Sequence, residues 1–488
     1  MPEKDRAGAS GQPAPRLMPE MRRRIASLAG LLPAGCMIAT ILHEYGGGAV
    51  PHALAGAFAL AAILAFSLAD RNTPRVFVFV GLALAIWALA TRPEGLTGIW
   101  RAVSSGSFVI ALYTALTAIR IAAIGSWEIL ECGRFLAGQR PGLRYVALTI
   151  GGHLFGLILL YGSIALLGSL AAESTAREAD PDLRRLRLRR MLVAIQRGFA
   201  STLCWSPLGF SMAITVGLVP GASWGAVALP CMVNAAMMIL VGWGMDSVFK
   251  PRLARPAPLR DAPSGGWLVR LRPLLLLLGV VACGILLLRR ATGIDVIGAV
   301  MSFVPLVALG WIWLQGDGMG GGRMAHLGRK VAEFLQRELP AYGGQIVLLF
   351  MAAFIGSLGA FLIVPLMPRL GLDLGALPPL AIVIAMVWLV PLTGQLGMNP
   401  ILSVSLIVPM LPSPAEMGLH PAVLVAAITG GWALSGTTSP FTASVLLVGT
   451  YGEVPPRQAG LRWNGLYAIL VGLMISAWVL VLRLYGAG

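Results

Sequence analysis

The chain alternates between long apolar runs and short polar segments along almost its whole length. About a dozen runs are long enough to approach the roughly 20 apolar residues that one bilayer-crossing helix needs. Backbone in the hydrocarbon core must be hydrogen-bonded internally, so runs of this kind form helices. The pattern predicts an all-α polytopic membrane protein of about 11 to 13 transmembrane segments. The candidate spans are residues 25–44, 49–69, 76–91, 107–124, 144–171, 191–218, 225–244, 273–288, 293–314, 343–368, 378–411, 421–449 and 462–485.

Three candidate spans exceed a simple crossing, namely residues 144–171, 191–218 and 378–411. The third is interrupted by Pro391, Gly394, Gly397 and Pro400. Non-helical backbone at membrane depth survives only inside protein or beside water. We therefore predict re-entrant hairpins or broken helices in these three segments.

Composition removes several classes of protein from consideration. With 57% hydrophobic and 12% charged residues and a mean hydropathy of +0.80, the chain is neither a soluble enzyme nor a disordered protein. A net charge of +16 would suggest a nucleic-acid partner in a soluble protein. Here the arginines lie in loops between apolar runs, so the charge reports orientation and no nucleic-acid partner is expected.

Loop charge predicts which side of the membrane each connection faces. The loops 70–75, 173–190, 245–272 and 315–342 and the N-terminal tail are basic. The loops 45–52, 219–224 and 412–420 contain no arginine or lysine. By the positive-inside rule the N-terminus and the basic loops are cytoplasmic. We expect a multi-pass protein of the cell inner (cytoplasmic) membrane, with the amphipathic segment 324–338 on its cytoplasmic surface.

A short internal repeat divides the chain. Residues 198–211 (GFASTLCWSPLGFS) and 431–444 (GWALSGTTSPFTAS) share five of fourteen positions without gaps. Six arginines precede the first copy in the loop 173–190, and none precedes the second in 412–420. The copies are therefore expected to enter the membrane from opposite sides, as an inverted repeat. This divides the chain into a cytoplasmic tail 1–24, N-terminal spans 25–106, a first repeat 107–244, a connecting region 245–342 and a second repeat 343–488.

Proline follows a capping residue inside three of the apolar segments, after Ser206, Ser439 and Asn399. The residue before proline is pushed out of the α region, serine and asparagine are preferred N-caps, and proline is preferred at N1. Each pair is predicted to start a half-helix whose positive end favours an anion. The alternative is a simple kink. The candidate substrate-binding residues are Thr202, Ser206, Pro207, Asn399, Pro400, Thr437, Thr438, Ser439 and Pro440.

Among the ionisable residues inside predicted spans, His153 and Arg120 are weighed for a role. His153 could carry a coupling proton, or could be a neutral histidine bonded to a backbone carbonyl. Arg120 lies near one end of its span, where we expect it to snorkel towards the interface. No central arginine or lysine is then expected to neutralise a bound carboxylate. The five cysteines show no CxxC spacing, so neither a disulfide framework nor a metal site is predicted.

The residues 393–405 (TGQLGMNPILSVS) and 435–440 (SGTTSP), with 153–170 and 201–207 as first-half partners, resemble the ion transporter superfamily. Its members include divalent-anion/sodium symporters, arsenite permease-like proteins and the large membrane subunits of tripartite transporters. The resemblance implies two inverted repeats, each with a re-entrant hairpin and a broken helix whose tips meet at midplane. The Ser-Asn-Thr signature of the sodium-coupled dicarboxylate branch is absent, so the resemblance does not specify the coupling ion or the substrate.

Two classes of function follow. The first is a secondary active transporter that moves a small anionic, carboxylate-type solute by an elevator-like mechanism, as a homodimer, coupled to Na⁺ or H⁺. It is not an enzyme, and beyond Na⁺ as a coupling ion it needs no cofactor. The alternative is a membrane-embedded enzyme acting on lipid-linked substrates. Such an enzyme needs acid/base groups at the interface, and the candidates are His43, Glu128, Glu131 and Arg134.

Overall fold

The computed structural model describes residues 29–69, 75–124, 126–176, 178–249, 266–317 and 322–485. The predicted cytoplasmic tail, residues 1–24, lies outside the described residues. All regular structure in the described ranges is helical. Nine of the helices described are long and apolar enough to cross a membrane, and four shorter ones are also apolar. The prediction of an all-α polytopic membrane protein is confirmed.

The N-terminal part is a bundle around one long helix. It consists of α1 (Leu31–Glu44), α2 (Ala49–Ala69), α3 (Arg75–Thr91) and α4 (Gly95–Ile124). Helix α4 packs against α1, α2 and α3. It is also largely buried, with fully buried alanines and leucines along its middle turns. This helix forms the centre of a scaffold against which the repeats pack.

The first repeat contains a hairpin and a broken helix, as predicted for segments 144–171 and 191–218. After the short helix α5 (Trp127–Ala137), hairpin 1 consists of α6 (Pro141–Leu159) and α7 (Gly162–Ala176). Broken helix 1 consists of α8 (Pro181–Thr202) and α9 (Phe210–Leu218), and α10 (Trp224–Val248) follows it. The Asp180 side chain caps α8 by accepting from the backbone N–H groups of Asp182 and Leu183.

The connecting region returns the chain to the predicted cytoplasmic side. It contains α11 (Trp267–Thr292), α12 (Val296–Gln315) and the amphipathic α13 (Gly322–Glu333), which continues as a π-helix over Phe334–Glu338. Helix α12 packs against α4, and the Gln315 side chain donates to the Ala122 carbonyl. Since α12 ends at the basic loop 315–342, the C-terminal end of α4 lies on that same side.

The second repeat follows the same order. Helix α14 (Gly343–Ile363) packs against α4 and precedes hairpin 2, which consists of α15 (Pro379–Gln395) and α16 (Pro400–Ile407). Broken helix 2 consists of α17 (Pro421–Thr438) and α18 (Ala443–Gly452). The last helix, α19 (Trp463–Tyr485), occupies the position that α10 has in the first repeat.

Matching hydrogen bonds show that the two broken helices are built alike. The Ser211 hydroxyl donates to the Leu203 carbonyl across the first break, and the Ser444 hydroxyl donates to the Gly436 carbonyl across the second. Both bonds join residues eight apart, at positions that the sequence repeat aligns. A side chain at the start of the second half-helix thus satisfies a carbonyl that the break leaves without its helical partner.

The two broken helices run antiparallel to each other. Helix α18 packs on α8, and α9 packs on α17, so each second half-helix lies beside the first half-helix of the other copy. At the start of this contact Gly436 lies against Leu203, and further along Gly452 lies against Leu192. The chain therefore ascends in one copy where it descends in the other, which is the geometry of an inverted repeat.

Glycines allow each hairpin to approach its broken helix closely. A Cβ on Gly198 would lie 2.1 Å from the Thr149 carbonyl oxygen, and one on Gly431 would lie 2.7 Å from the Met386 carbonyl oxygen. These two glycines are the first residues of the two repeated motifs. In lipid, helices associate through such close backbone packing.

Candidate functional site

The Ser-Pro dipeptides lie in the breaks and do not start the second half-helices, whose N-caps are Gly209 and Thr442. Ser439 is the C-cap of α17 with an extended ψ of 122°, as expected before proline. Its hydroxyl oxygen accepts the Phe441 N–H at 3.3 Å, which makes a turn, and α18 begins only at Ala443. Ser206 makes the equivalent bond with the Leu208 N–H at 3.2 Å, before α9 begins at Phe210. The prediction that each serine is an N-cap is therefore wrong.

The third dipeptide behaves as predicted. Asn399 is the N-cap of α16, and its side-chain oxygen accepts the Ile401 N–H at 2.9 Å. Pro400 occupies the first helical position, where its missing N–H costs nothing. This pair starts a short helix inside hairpin 2.

The threonine hydroxyls at the ends of the first half-helices bond to their own helices. Thr202 donates to the Phe199 carbonyl at 2.7 Å. Thr437 and Thr438 both donate to the Leu434 carbonyl at 2.8 Å. Their oxygens keep lone pairs, so these groups are better placed to accept a further hydrogen bond than to donate one.

Hairpin 2 is joined to the second break by polar contacts. The Ser439 hydroxyl donates to the Gly394 carbonyl at 2.6 Å, and the Gln395 amide donates to the Thr438 hydroxyl at 3.3 Å. The Ser435 hydroxyl lies against Gly394, is fully buried and has no hydrogen-bond partner. The structure thus brings Thr438 and Ser439 together with the hairpin 2 tip.

Most contacts between hairpin 1 and the first break are apolar or aromatic, beside one polar contact between His153 and Ser201. Gly156 lies against the Thr202 methyl group, and the rings of Tyr161 and Phe199 are 5.2 Å apart. Ser206 is buried and Pro207 half-buried beside this contact. The two breaks share a backbone path but have different neighbours.

His153 lies in the interface between hairpin 1 and broken helix 1. Its Nδ1 is 2.7 Å from the Ser201 Oγ, and its ring stacks on Trp205 with centroids 5.9 Å apart. The Ser201 hydroxyl also bonds to the Gly198 carbonyl at 2.7 Å. The histidine is bonded to the Ser201 side chain and also to the Gly198 backbone, and the second bond agrees with the interpretation of a histidine bonded to a backbone carbonyl. Its role in proton coupling stays a prediction.

A cavity of about 310 Å³ separates the scaffold, by which we mean α1–α4 with residues 342–345, from the hairpins and broken helices of the repeats. Scaffold side chains form one wall, and the turn of hairpin 1 and the starts of α9 and α18 form the other. The polar and terminal residues that line it are Tyr113, Thr117, Arg120, Tyr161, Phe210, Tyr342, Gln345 and Ala443. The Tyr113 hydroxyl donates to the Gln345 side chain at 3.0 Å, which orders the scaffold wall.

Arg120 is the functional candidate that sequence reasoning missed. Its guanidinium lies over the Tyr342 ring at 5.2 Å, and its Nε is buried without a hydrogen-bond partner. Gly162, at the start of α7, lies against this nitrogen. The expected snorkelling of Arg120 is thus corrected, because the side chain faces the repeats. An arginine in an apolar helix was the signal, but its partners come from distant parts of the chain.

The cavity is electropositive for two reasons. Within the part of the chain that the structure describes, no acidic residue lines it to neutralise Arg120. Phe210 and Ala443 are the first residues of α9 and α18, and the N–H groups of a helix's first turn have no partner within the helix. The positive ends of two half-helices and one guanidinium therefore converge on the same space, which suits a small anion.

Metal binding by acidic, histidine or cysteine side chains has no visible basis. Across the described ranges, no group of three or more such residues is placed to hold a metal ion.

Comparison with known proteins identifies a similar fold. No family model and no curated protein matches the sequence. The structure resembles the crystal structure of the YdaH transporter of Alcanivorax borkumensis, with a TM-score of 0.51 and 14% identity, over 83% of this chain and 96% of that one. The MtrF structure from Neisseria gonorrhoeae, of a class of antimetabolite efflux pumps, gives a TM-score of 0.49 and 14% identity over 86% and 98%. At this identity the YdaH similarity is evidence of a shared fold.

Proposed function

We propose that the protein is a secondary active transporter of a small anionic solute, and that the cavity around Arg120 binds the solute. The observation that carries this proposal is the convergence of Arg120 with the starts of α9 and α18 in a cavity that no acidic residue of the described ranges lines. Arg120 is half-buried and its Nε is fully buried, and such a guanidinium without a carboxylate is costly unless an anion accompanies it. The fold shared with the YdaH transporter supports the same class of function.

The cavity also suggests the kind of anion. At about 310 Å³ it is at the small end of ligand pockets, and tyrosine rings line it together with one guanidinium. A planar guanidinium recognises a carboxylate through two parallel hydrogen bonds. We infer a small carboxylate-type solute whose charged end faces Arg120 and whose body contacts Tyr113 and Tyr342.

Transport requires the solute to be released to alternate sides. The cavity lies between scaffold residues on α4 and the starts of two half-helices that belong to the repeats, so relative motion of the two parts would carry the solute. We propose an elevator-like motion in a homodimer of the cytoplasmic membrane, with the N-terminus cytoplasmic. Coupling is to Na⁺ or H⁺, with His153 as the proton candidate.

The residues named for an interfacial enzyme have structural bonds that account for them. The Ser126 hydroxyl donates to Glu128, and this bond lowers the pKa of the Glu128 carboxyl below its ordinary value. Glu131 forms an ion pair with Arg134, one turn further along the same helix, at 2.8 Å, and both side chains are partly exposed. A carboxyl with a lowered pKa is a poor general acid near neutral pH, which favours transport over an enzyme.

The experiment is flux into liposomes containing the purified protein. Radiolabelled small carboxylates are supplied with an inward Na⁺ or H⁺ gradient, and the initial rate is measured for wild type, Arg120→Gln and Arg101→Gln. Arg101 is an exposed residue on the same helix and serves as the matched control. Loss of a charge-assisted bond costs about 1.5 to 3 kcal/mol, so Arg120→Gln should slow uptake by at least about tenfold.

Arg101→Gln should remain within about twofold of wild type, because surface charges away from the site contribute little. The proposal fails if the wild type takes up none of the labelled carboxylates, or if the two arginine variants lose the same fraction of the uptake rate. Covalent turnover of a lipid-linked substrate without any flux would establish the enzyme instead.

A further inference from the structure

A second cavity of about 300 Å³ lies among α6, α8, α10 and the start of α19. It shares no lining residue with the cavity around Arg120. Four arginines line it, Arg189, Arg190, Arg197 and Arg462, against one carboxylate, Asp246. Its charge is therefore strongly positive.

Asp246 forms an ion pair with one of these four arginines, Arg190. Its two carboxylate oxygens accept from Nε and Nη2 of Arg190 at 2.8 and 2.7 Å, which is a two-bond fork. Within the described part of the chain, no ion pair involves Arg189, Arg197 or Arg462. Three of the four guanidinium groups therefore line the cavity without an ion-pair partner among the described residues, since Asp246 is paired with Arg190.

Arg197 is the innermost of the three. Only 5% of it is exposed, and every hydrogen-bond partner it has is neutral. It donates to the Asn464 side-chain oxygen at 2.9 Å, the Tyr145 hydroxyl at 3.1 Å and the Trp463 carbonyl at 3.4 Å, and it lies 4.1 Å from the centre of the Tyr467 ring. These contacts orient the guanidinium but leave its charge uncompensated in a low-dielectric setting.

The rim of the cavity supplies two further donors. Arg189 and Arg462 are exposed at the entrance, and the Arg189 guanidinium is 5.5 Å from the centre of the Trp463 ring. Arg189 belongs to the basic loop 173–190, which the positive-inside rule assigns to the cytoplasmic side. The cavity therefore opens where phosphate-bearing solutes and anionic lipid headgroups are both present.

We propose that this cavity is a binding site for a phosphate group, held by Arg197 from within and by Arg189 and Arg462 from the rim. Guanidinium forks match phosphate oxygens, and a bound phosphate compensates the buried charge of Arg197. The site is separate from the transport cavity and does not depend on the proposed function. The phosphate belongs to a soluble anion or to a lipid headgroup, two sources that share this chemistry.

The test measures thermal unfolding of the full-length protein in a neutral detergent at constant ionic strength. One arm titrates inorganic phosphate, and the other adds phosphatidylglycerol in mixed micelles, with phosphatidylcholine as the neutral lipid. The variants are Arg189→Gln/Arg462→Gln and the control Arg184→Gln/Arg185→Gln. Arg184 and Arg185 are exposed on α8, the helix that also carries Arg189, and they lie outside the cavity. Both double variants change the net charge by the same amount.

We expect saturable stabilisation of the wild type by at least one probe, because a ligand that binds only the folded state raises its stability. The half-saturating concentration should rise at least about tenfold in Arg189→Gln/Arg462→Gln and stay within about twofold in the control. Stabilisation by phosphate supports a soluble anion, and stabilisation by phosphatidylglycerol alone supports a headgroup. The proposal is overturned if neither probe stabilises the wild type, or if both double variants weaken binding equally.

Discussion

The two breaks in the broken helices have the same backbone design but different surroundings. In both, a serine oxygen before proline accepts the N–H two residues on. At the second break, Ser439 also donates to hairpin 2 through the Gly394 carbonyl. At the first, hairpin 1 contributes the Tyr161 ring against Phe199. The second break is held to its hairpin by polar bonds alone at these positions, whereas the first combines ring packing with one polar contact, between His153 and Ser201.

A symmetric backbone can therefore carry an asymmetric site. The turn of hairpin 1 reaches the scaffold, where Gly162 lies against Arg120 and Tyr161 lines the cavity. The tip of hairpin 2 is bonded instead to its own broken helix, through Gln395 and Thr438. We infer that recognition of the charged end of a solute belongs to the hairpin 1 side. The bonds at hairpin 2 make its tip one unit with α17.

The largest effect is expected where backbone meets backbone. Gly198→Ala places a methyl group 2.1 Å from the Thr149 carbonyl oxygen, and Gly431→Ala places one 2.7 Å from that of Met386. A carbonyl in a helix cannot rotate away, so the helices must separate, at about 3 kcal/mol for Gly198 and about 1 to 2 kcal/mol for Gly431. The unfolding temperature and the monodispersity of the two variants in detergent show which of them loses more stability.

Gly244→Ala is the matched control for these two substitutions. It lies in helix α10 with nothing within 4 Å of a built Cβ. Alanine is about 1 kcal/mol better than glycine in a helix, so this variant should be no less stable than wild type. If Gly198→Ala unfolds at the wild-type temperature, the close packing of hairpin 1 on broken helix 1 is not as described.

The next effect separates the two serines. Ser439→Ala removes two bonds, the one that its hydroxyl donates to the Gly394 carbonyl and the one that its oxygen accepts from the Phe441 N–H. The Gly394 carbonyl keeps only the bond from the Gly397 N–H at 3.3 Å, so the variant should cost about 1 to 3 kcal/mol. Ser206→Ala removes a turn bond to the Leu208 N–H and should cost about 0.5 to 1.5 kcal/mol. Unfolding the two variants under the same denaturing condition shows which of them has lost more stability. Equal losses would mean that the bond between Ser439 and hairpin 2 contributes nothing to stability.

The sequence predicted those features that depend on local pattern. Apolar runs, proline positions and the arginines of the loop 173–190 were sufficient for the helical class, the hairpins and the inverted repeat. Serine before proline was misassigned as an N-cap because the same residue also forms a turn with the N–H two residues on. The environment of Arg120 was not predictable, since Tyr342 and Gly162 reach it only through tertiary packing.

The smallest effect concerns the turns of the two hairpins, because one residue in each turn adopts a positive φ. Hairpin 2 has Gly397 at 90°, but hairpin 1 has Leu160 at 51° with ψ at −128°, a conformation that side chains disfavour. Gly397→Ala should cost about 1 kcal/mol from φ alone, because its only neighbour, Phe441, is 3.8 Å away. Gly217→Ala, with no positive φ and open space, is the control.

At Leu160 the glycine variant should be more stable than the alanine variant, although glycine has the smaller side chain. Leu160→Ala loses the contacts of a half-buried leucine and keeps the strained φ, whereas Leu160→Gly loses slightly more contact but relieves strain of about 1 to 3 kcal/mol. Leu160→Gly should therefore unfold at a higher temperature than Leu160→Ala. The reverse order would indicate that leucine is unstrained there, and the hairpin 1 turn would then differ from hairpin 2 in backbone as well as in chemistry.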